Sequence, residues 1–157
     1  MQPIVISSKY SFSETQKALE AAVPRLDLTF QTYLADGDYA RARAALEALP
    51  TLNNFIIPPR NFTGLLLAIG KSGQVVHYEI GNPLTAATMI QYNLDIALHT
   101  PRRVLLRVNG SKVEFKFEAL APIVAKYHIP EVDAVAKKLD AELTNILRRV
   151  AGYQVSS

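Results

Sequence analysis

His77 and Glu79 are the two residues of this chain best placed to move a proton. They stand two apart in Gln74–Ile80, alternating with Val76, Tyr78 and Ile80, which is the two-residue period of a strand with one apolar face. Both side chains then leave the strand on the side opposite those apolar residues. An imidazole titrates near neutrality, and a carboxylate beside it can orient the ring and raise its basicity. A single molecule lying on that face could therefore meet a general acid and a general base. The ordinary reading of the same pair is a solvated strand face with at most a weak ion pair. His99 precedes a strand and His128 precedes Pro130, so none of the three histidines has metal-ligand spacing. With no cysteine in the chain, thiol catalysis, disulfides and Cys-type zinc sites are excluded. No metal and no cofactor is expected.

Other residues could shape a ligand cavity around that pair. Tyr33, Tyr78 and Tyr92 can supply aromatic walls and hydroxyl donors, although tyrosine on strands mostly packs. The turn Gly81-Asn82-Pro83 suits a change of direction, since Gly and Asn tolerate left-handed backbone and Pro fits a first helical turn. The Asn82 amide would also face a pocket where a strand end meets a helix start. Arg102 and Arg103, with Arg107 and Lys112, carry charge for a carboxylate or phosphate, but adjacent residues on a strand point to opposite faces and cannot form one clamp. A solvated edge is the ordinary reading there, with Arg103 kept among the ligand-binding candidates. Phosphate-loop, dinucleotide and Gly-x-Ser-x-Gly motifs are all missing, which disfavours nucleotide and serine-hydrolase chemistry.

The elements that must position these groups can be read from period and punctuation. Ile4–Ile6 is a short strand. Ser11-x-x-Glu14 and Ser13-x-x-Gln16 both have capping-box spacing before Ala18, Leu19, Ala22 and Val23, so a helix follows until Pro24. Leu28, Phe30, Thr32 and Leu34 alternate with polar neighbours and predict a strand over Asp27–Leu34. Asp36-Gly37-Asp38 turns into a helix from about Tyr39 to Leu49, with Ala42, Ala45, Leu46 and Leu49 inward and Pro50 after it. Asn53–Ile57 and Pro58-Pro59 give a short strand and a stiff bend. Gly64–Ile69 and Gln74–Ile80 read as a hairpin across Gly70–Gly73. Leu84–Leu98 is helical with a break near Asn93. Val104–Val108 and Lys112–Phe117 form a hairpin on Asn109-Gly110, a turn that accepts two positive φ angles. Glu131–Val150 carries Val132, Val135, Ala136, Leu139, Leu143, Ile146, Leu147 and Val150 at helical spacing. Its other side holds Lys137, Lys138, Arg148 and Arg149 and should stay wet.

At 157 residues, 49% hydrophobic and 20% charged, the chain has the composition of one globular domain able to bury its own core. A formal charge of +3 with the two signs interspersed gives no reason to expect nucleic acid. Met1-Gln2-Pro3 runs directly into Ile4 without a basic start, and the longest apolar run, Leu65–Ile69, is too short to span a bilayer. A cytoplasmic protein with no membrane partner is the expectation.

Ile80-Gly81-Asn82-Pro83, then Met89-Ile90-Gln91-Tyr92-Asn93, then Thr100-Pro101 before an apolar strand resembles the signature of the DUF302 family, small α/β proteins of unknown function. The resemblance extends upstream to Phe12-Ser13-Glu14-Thr15 and Leu28-Thr29-Phe30. Downstream it runs from Phe115-Lys116-Phe117 to Ala125-Lys126-Tyr127-His128-Ile129. It implies an α+β two-layer sandwich, a mostly antiparallel sheet with helices. The chain departs from the family where Leu84-Thr85-Ala86-Ala87 replaces a Lys-x-Gly-Thr pattern, removing a cation from the loop best placed for an anion, and where Asp36-Gly37 replaces Asp-His. Resemblance and the long apolar face of the last helix together lead to the expectation of a homodimer. For function the expectation is a small, mostly apolar organic ligand, with cofactor-free isomerase, cyclase or lyase chemistry by His77 and Glu79. The alternative is a non-catalytic binding or assembly module.

Overall fold

The computed structural model of the chain describes residues 3–155; Met1 and Gln2, which entered the reading of the N-terminus, lie outside the described residues. In order, the elements are β1 (Ile4–Ser7), α1 (Phe12–Ala22), α2 (Thr29–Ala35), α3 (Tyr39–Glu47), β2 (Phe55–Asn61), α4 (Phe62–Ala68), β3 (Val75–Gly81) and α5 (Pro83–Ile90). A 3-10 helix (Leu94–His99) leads to β4 (Arg102–Asn109), β5 (Lys112–Phe117), α6 (Leu120–Val124) and α7 (Pro130–Val150). The strands form one antiparallel sheet in the order β1-β5-β4-β3-β2. Among the described residues no helix is long and apolar enough to cross a membrane.

One face of the sheet is covered by α1 and α7. Val76, Tyr78 and Ile80 of β3, Val104 and Leu106 of β4 and Phe115 and Phe117 of β5 meet Leu19 and Val23 of α1 and Leu143, Leu147 and Val150 of α7 in one buried cluster. The capping box at Ser11 and Glu14 forms as the spacing predicts, with both reciprocal bonds made. The N-terminal half of α7 buries Val132, Ala136 and Leu139 against Met89, Ile96, Leu120 and Val124 in a second cluster. The apolar face of α7 is thus consumed within the chain, and its length is no argument for a second copy. Lys137, Lys138, Arg148 and Arg149 are exposed on its other side.

Two expected strands are helices. Over Asp27–Leu34 the even positions that suggested a strand also contain pairs four apart, the spacing of one helical face. In α2 only Phe30 of them is buried, packed with Leu26 and Phe55 and against Ala45, Leu46 and Leu49. The start is fixed by the Asp27 carboxylate, which accepts from the Thr29 amide at 2.9 Å and its hydroxyl at 2.6 Å. Gly64–Ile69 belongs largely to α4, begun by the Asn61 side chain accepting from Thr63 N at 3.0 Å. A continuous Leu65-Leu66-Leu67 run has no period to tell helix from strand, and the Asn61 cap was the signal available. The partner of β3 is instead β2. Pro58 and Pro59 do not end β2; a register shift between Ile57 and Arg60 carries it past them to Asn61.

Opposite the covered face, α4 leans on β3: the Thr63 hydroxyl bonds both Val75 N and Val75 O, and the Phe62 ring meets His77 edge-on at 6.3 Å. This open face carries His77, Glu79, Arg103, Leu105, Arg107 and Lys116, as strand alternation dictates. Glu114 is buried at its far end. Burial pushes its carboxyl up, but bonds from Asn109 and Arg107 and the Arg107 charge outweigh that and hold it below the usual glutamate value.

Candidate functional site

Gly81-Asn82-Pro83 joins β3 to α5. Asn82 is the N-cap: its side-chain oxygen accepts from Leu84 N at 2.9 Å, and Pro83 occupies the first turn, where its missing N–H costs nothing. Its amide nitrogen donates to the Leu52 carbonyl at 2.7 Å, fastening the segment before β2. Asn53 fastens the same segment twice more, accepting from the Thr85 hydroxyl at 2.8 Å and donating to Glu142 of α7 at 2.9 Å. Gly81 packs beside Pro101, and a Cβ there would stand 3.4 Å from that of Pro101, about van der Waals contact. We expect Asn82→Ala, which loses both the cap and the Leu52 tie, to lower stability by about 1–2 kcal/mol in urea titrations. Asn82→Asp, which keeps the capping oxygen, should lose less.

Behind the turn lies a cavity of about 180 Å³, walled by Ile57, Ile80, Pro83, Met89, Leu120 and Leu139 and rimmed by Asn53, Asn82 and Thr85. It sits where the two large core clusters meet. One charged side chain reaches its wall. Arg102, 8% exposed, places Nη2 2.7 Å from Asp140 of α7 and 3.1 Å from the Glu118 carbonyl. Burial lowers the guanidinium pKa and the Asp140 carboxylate raises it. Asp140 also accepts from the Leu120 and Ala121 amides at 2.7 and 2.8 Å, so one carboxylate serves both as counter-ion and as the missing cap of α6. The face shared with Val104 and Leu106 was the sequence sign that Arg102 turns inward.

The expected catalytic pair stands elsewhere. His77 and Glu79 share the open face and neither lines the cavity. Glu79 pairs with Arg60 at 3.3 Å rather than with His77, because the shift in β2 brings Arg60 opposite His77. His77 keeps its Nδ1 buried without a partner. Burial pulls its pKa down, Glu79 raises it, and Arg60 and Arg103 lower it further. The three tyrosines are not brought together. Tyr78 is fully buried on the opposite, covered face with its hydroxyl 3.4 Å from Glu20, and burial followed by the Glu20 charge raises its pKa. Tyr33 lies on α2 under the Arg41 guanidinium. Tyr92 is half-exposed in the turn after α5. Of the expected ligand residues, Asn82 reaches the cavity and Arg103 lies in a groove of the open face. Among the described residues no three His, Asp or Glu side chains converge as metal ligands would.

The profile of a family described as "Domain of unknown function DUF302" matches residues 32–150. Among solved structures the chain is similar to an uncharacterized conserved protein DUF302 from Bacillus stearothermophilus. The TM-score is 0.68 over 96% of this chain and 98% of that one, at 16% sequence identity. A likeness at that identity is one of fold. None of the curated proteins matches the chain.

Proposed function

We propose, from the premise that the chain belongs to the DUF302 family, that it binds a small, mostly apolar organic molecule in the cavity behind Gly81-Asn82-Pro83. The observation that carries this reading is the cavity itself, about 180 Å³ with aliphatic walls and a polar rim. A protein cavity of about 150 Å³ with such walls stays dry and accepts benzene, so the space suits a molecule of one ring or a short branched chain. Asn82 and Thr85 offer rim hydroxyl and amide groups for one polar substituent.

A holding role is favoured over isomerase, cyclase or lyase chemistry. The lining contains no carboxylate or imidazole, and its one charged group, Arg102, is not a proton donor near neutrality. His77 and Glu79 leave the sheet on the other side and would not touch a molecule held here.

The chain contains two methionines, Met1 and Met89, and Met89 lines the cavity. With methyl-labelled methionine, titration by toluene or phenol should move the Met89 signal saturably. Ala86→Phe, which fills the cavity from α5, should abolish the response while the far-ultraviolet spectrum stays folded. A Met89 signal indifferent to both probes, or equally responsive in Ala86→Phe, would sink the reading.

A further inference from the structure

Each of the other arginines on the sheet has a carboxylate partner: Arg60 has Glu79, Arg102 has Asp140 and Arg107 has Glu114. Arg103 and Lys116 have no ion pair among the described residues. This holds although Glu79 is the cross-strand neighbour of Arg103, its charge already drawn to Arg60 on the other side. Both free cations line one groove of the open face, together with His77, Leu98, His99 and Leu105. The register explains the convergence. His77, Leu105 and Lys116 lie side by side across β3, β4 and β5, and Arg103 is two residues before Leu105 on the same face, so three nitrogen-bearing side chains surround one leucine.

We propose that this groove is an anion site built round Arg103, taking the carboxylate or phosphate of a small molecule whose apolar part lies over Leu98 and Leu105. The site is separate from the cavity behind Asn82 and does not depend on its being occupied. Arg103 supplies a planar fork of donors suited to either anion, and Lys116 adds a point charge. The His77 Nδ1, buried and without a partner, is a further polar group at the same place. His99 is held on the groove wall by Tyr127, whose hydroxyl lies 3.2 Å from Nε2. Leu98, 77% exposed on the 3-10 helix, is the apolar flank. The one carboxylate in the lining, Glu118, is exposed and belongs to the loop after β5.

Arg103 also acts on both imidazoles. Burial lowers the pKa of each. Arg103 lowers both further, joined by Arg60 at His77 and by Lys126 at His99, against Glu79 and Asp95, which raise them. An anion seated on Arg103 cancels part of that repulsion, so occupancy should raise both imidazole pKa values. His128, on the exposed turn before α7, should not respond and serves as the internal control.

The test is a titration of the intact protein with inorganic phosphate, and separately with benzoate, followed through its histidine ring signals. The expected result is saturable movement of His77 and His99 with an upward pKa shift for both. Arg103→Gln, at an exposed position that the fold does not need, should weaken binding by about tenfold or more, and Lys116→Gln by less. Arg43→Gln, already paired with Glu47 on α3, should change nothing. A response to benzoate alone assigns a carboxylate, and a response to phosphate alone assigns a phosphate ester; either supports the site. Rings unmoved by both anions, an unaltered affinity in Arg103→Gln, or binding only to phosphatidylglycerol vesicles would overturn it.

Discussion

Asp140→Ala should cost about 3–5 kcal/mol of unfolding free energy, the loss found when one partner of a buried ion pair is removed and the other left behind. An arginine cannot shed its proton to escape burial. Without Asp140, therefore, the Arg102 charge remains in a site 8% exposed, with the Glu118 carbonyl as its remaining partner. Two backbone amides at the start of α6, those of Leu120 and Ala121, lose their acceptor in the same step. Arg102→Met should cost less. It removes the cation, and the carboxylate left behind is partly exposed and still accepts from both amides. Urea titrations of the two variants at neutral pH check the inequality, and equal losses would refute it. Combining Arg102→Met with Asp140→Leu should recover part of the Asp140→Ala loss, since well-packed apolar replacements remove the unpaired charge.

Leu143→Ala should lower stability by about 3–5 kcal/mol, whereas Leu65→Ala should stay within about 0.5 kcal/mol of the parent chain. Both substitutions remove the same atoms from a helical leucine. Leu143 is fully buried where α7 crosses the sheet, against the cluster containing Tyr78, Leu106 and Phe115, and its loss leaves a void that close-packed neighbours cannot refill. Leu65 on α4 is 61% exposed and has little burial to lose. Thermal and urea denaturation of the pair measures the contrast, and comparable losses would mean that α4 is covered in solution.

The residues legible in sequence were those whose pattern is local. The hairpin expected between Val104–Val108 and Lys112–Phe117 forms, but its turn is shifted by one residue: Asn109 pairs with Lys112 as the last residue of β4, and the two loop residues are Gly110 and Ser111. Of the turn only Gly110 has a positive φ, 63°, where an Asn109-Gly110 turn would need two. Ser11 and Glu14 complete a capping box within one turn, and the break after α5 comes at Asn93, which caps the 3-10 helix. Period alone misled where apolar residues were too few or too dense, as over Thr29–Leu34 and Leu65–Leu67. At the candidate sites the same division holds. The side of β3 from which His77 and Glu79 project followed from alternation, and so did the role of Asn82 in its turn. That Glu79 answers to Arg60 depended on a register shift in β2. That Arg102 answers to Asp140 depended on a contact between residues 38 apart, which no short-range pattern encodes.

The register shift at Pro58-Pro59 has one further consequence, for how molecules of this protein meet at high concentration. β2 is an outer strand of the sheet, and an outer strand offers unpaired amides and carbonyls to any extended chain that drifts alongside. Two adjacent prolines cannot donate, and the irregularity they occupy interrupts the straight ladder that another strand would need. Arg25 bridges to Ile56 and covers the start of the same edge. At the opposite border β1 is four residues long, too short to template much. Both margins are thereby poor seeds for ordered aggregation, and a Pro58→Val, Pro59→Thr double variant would trade that protection for a longer continuous strand.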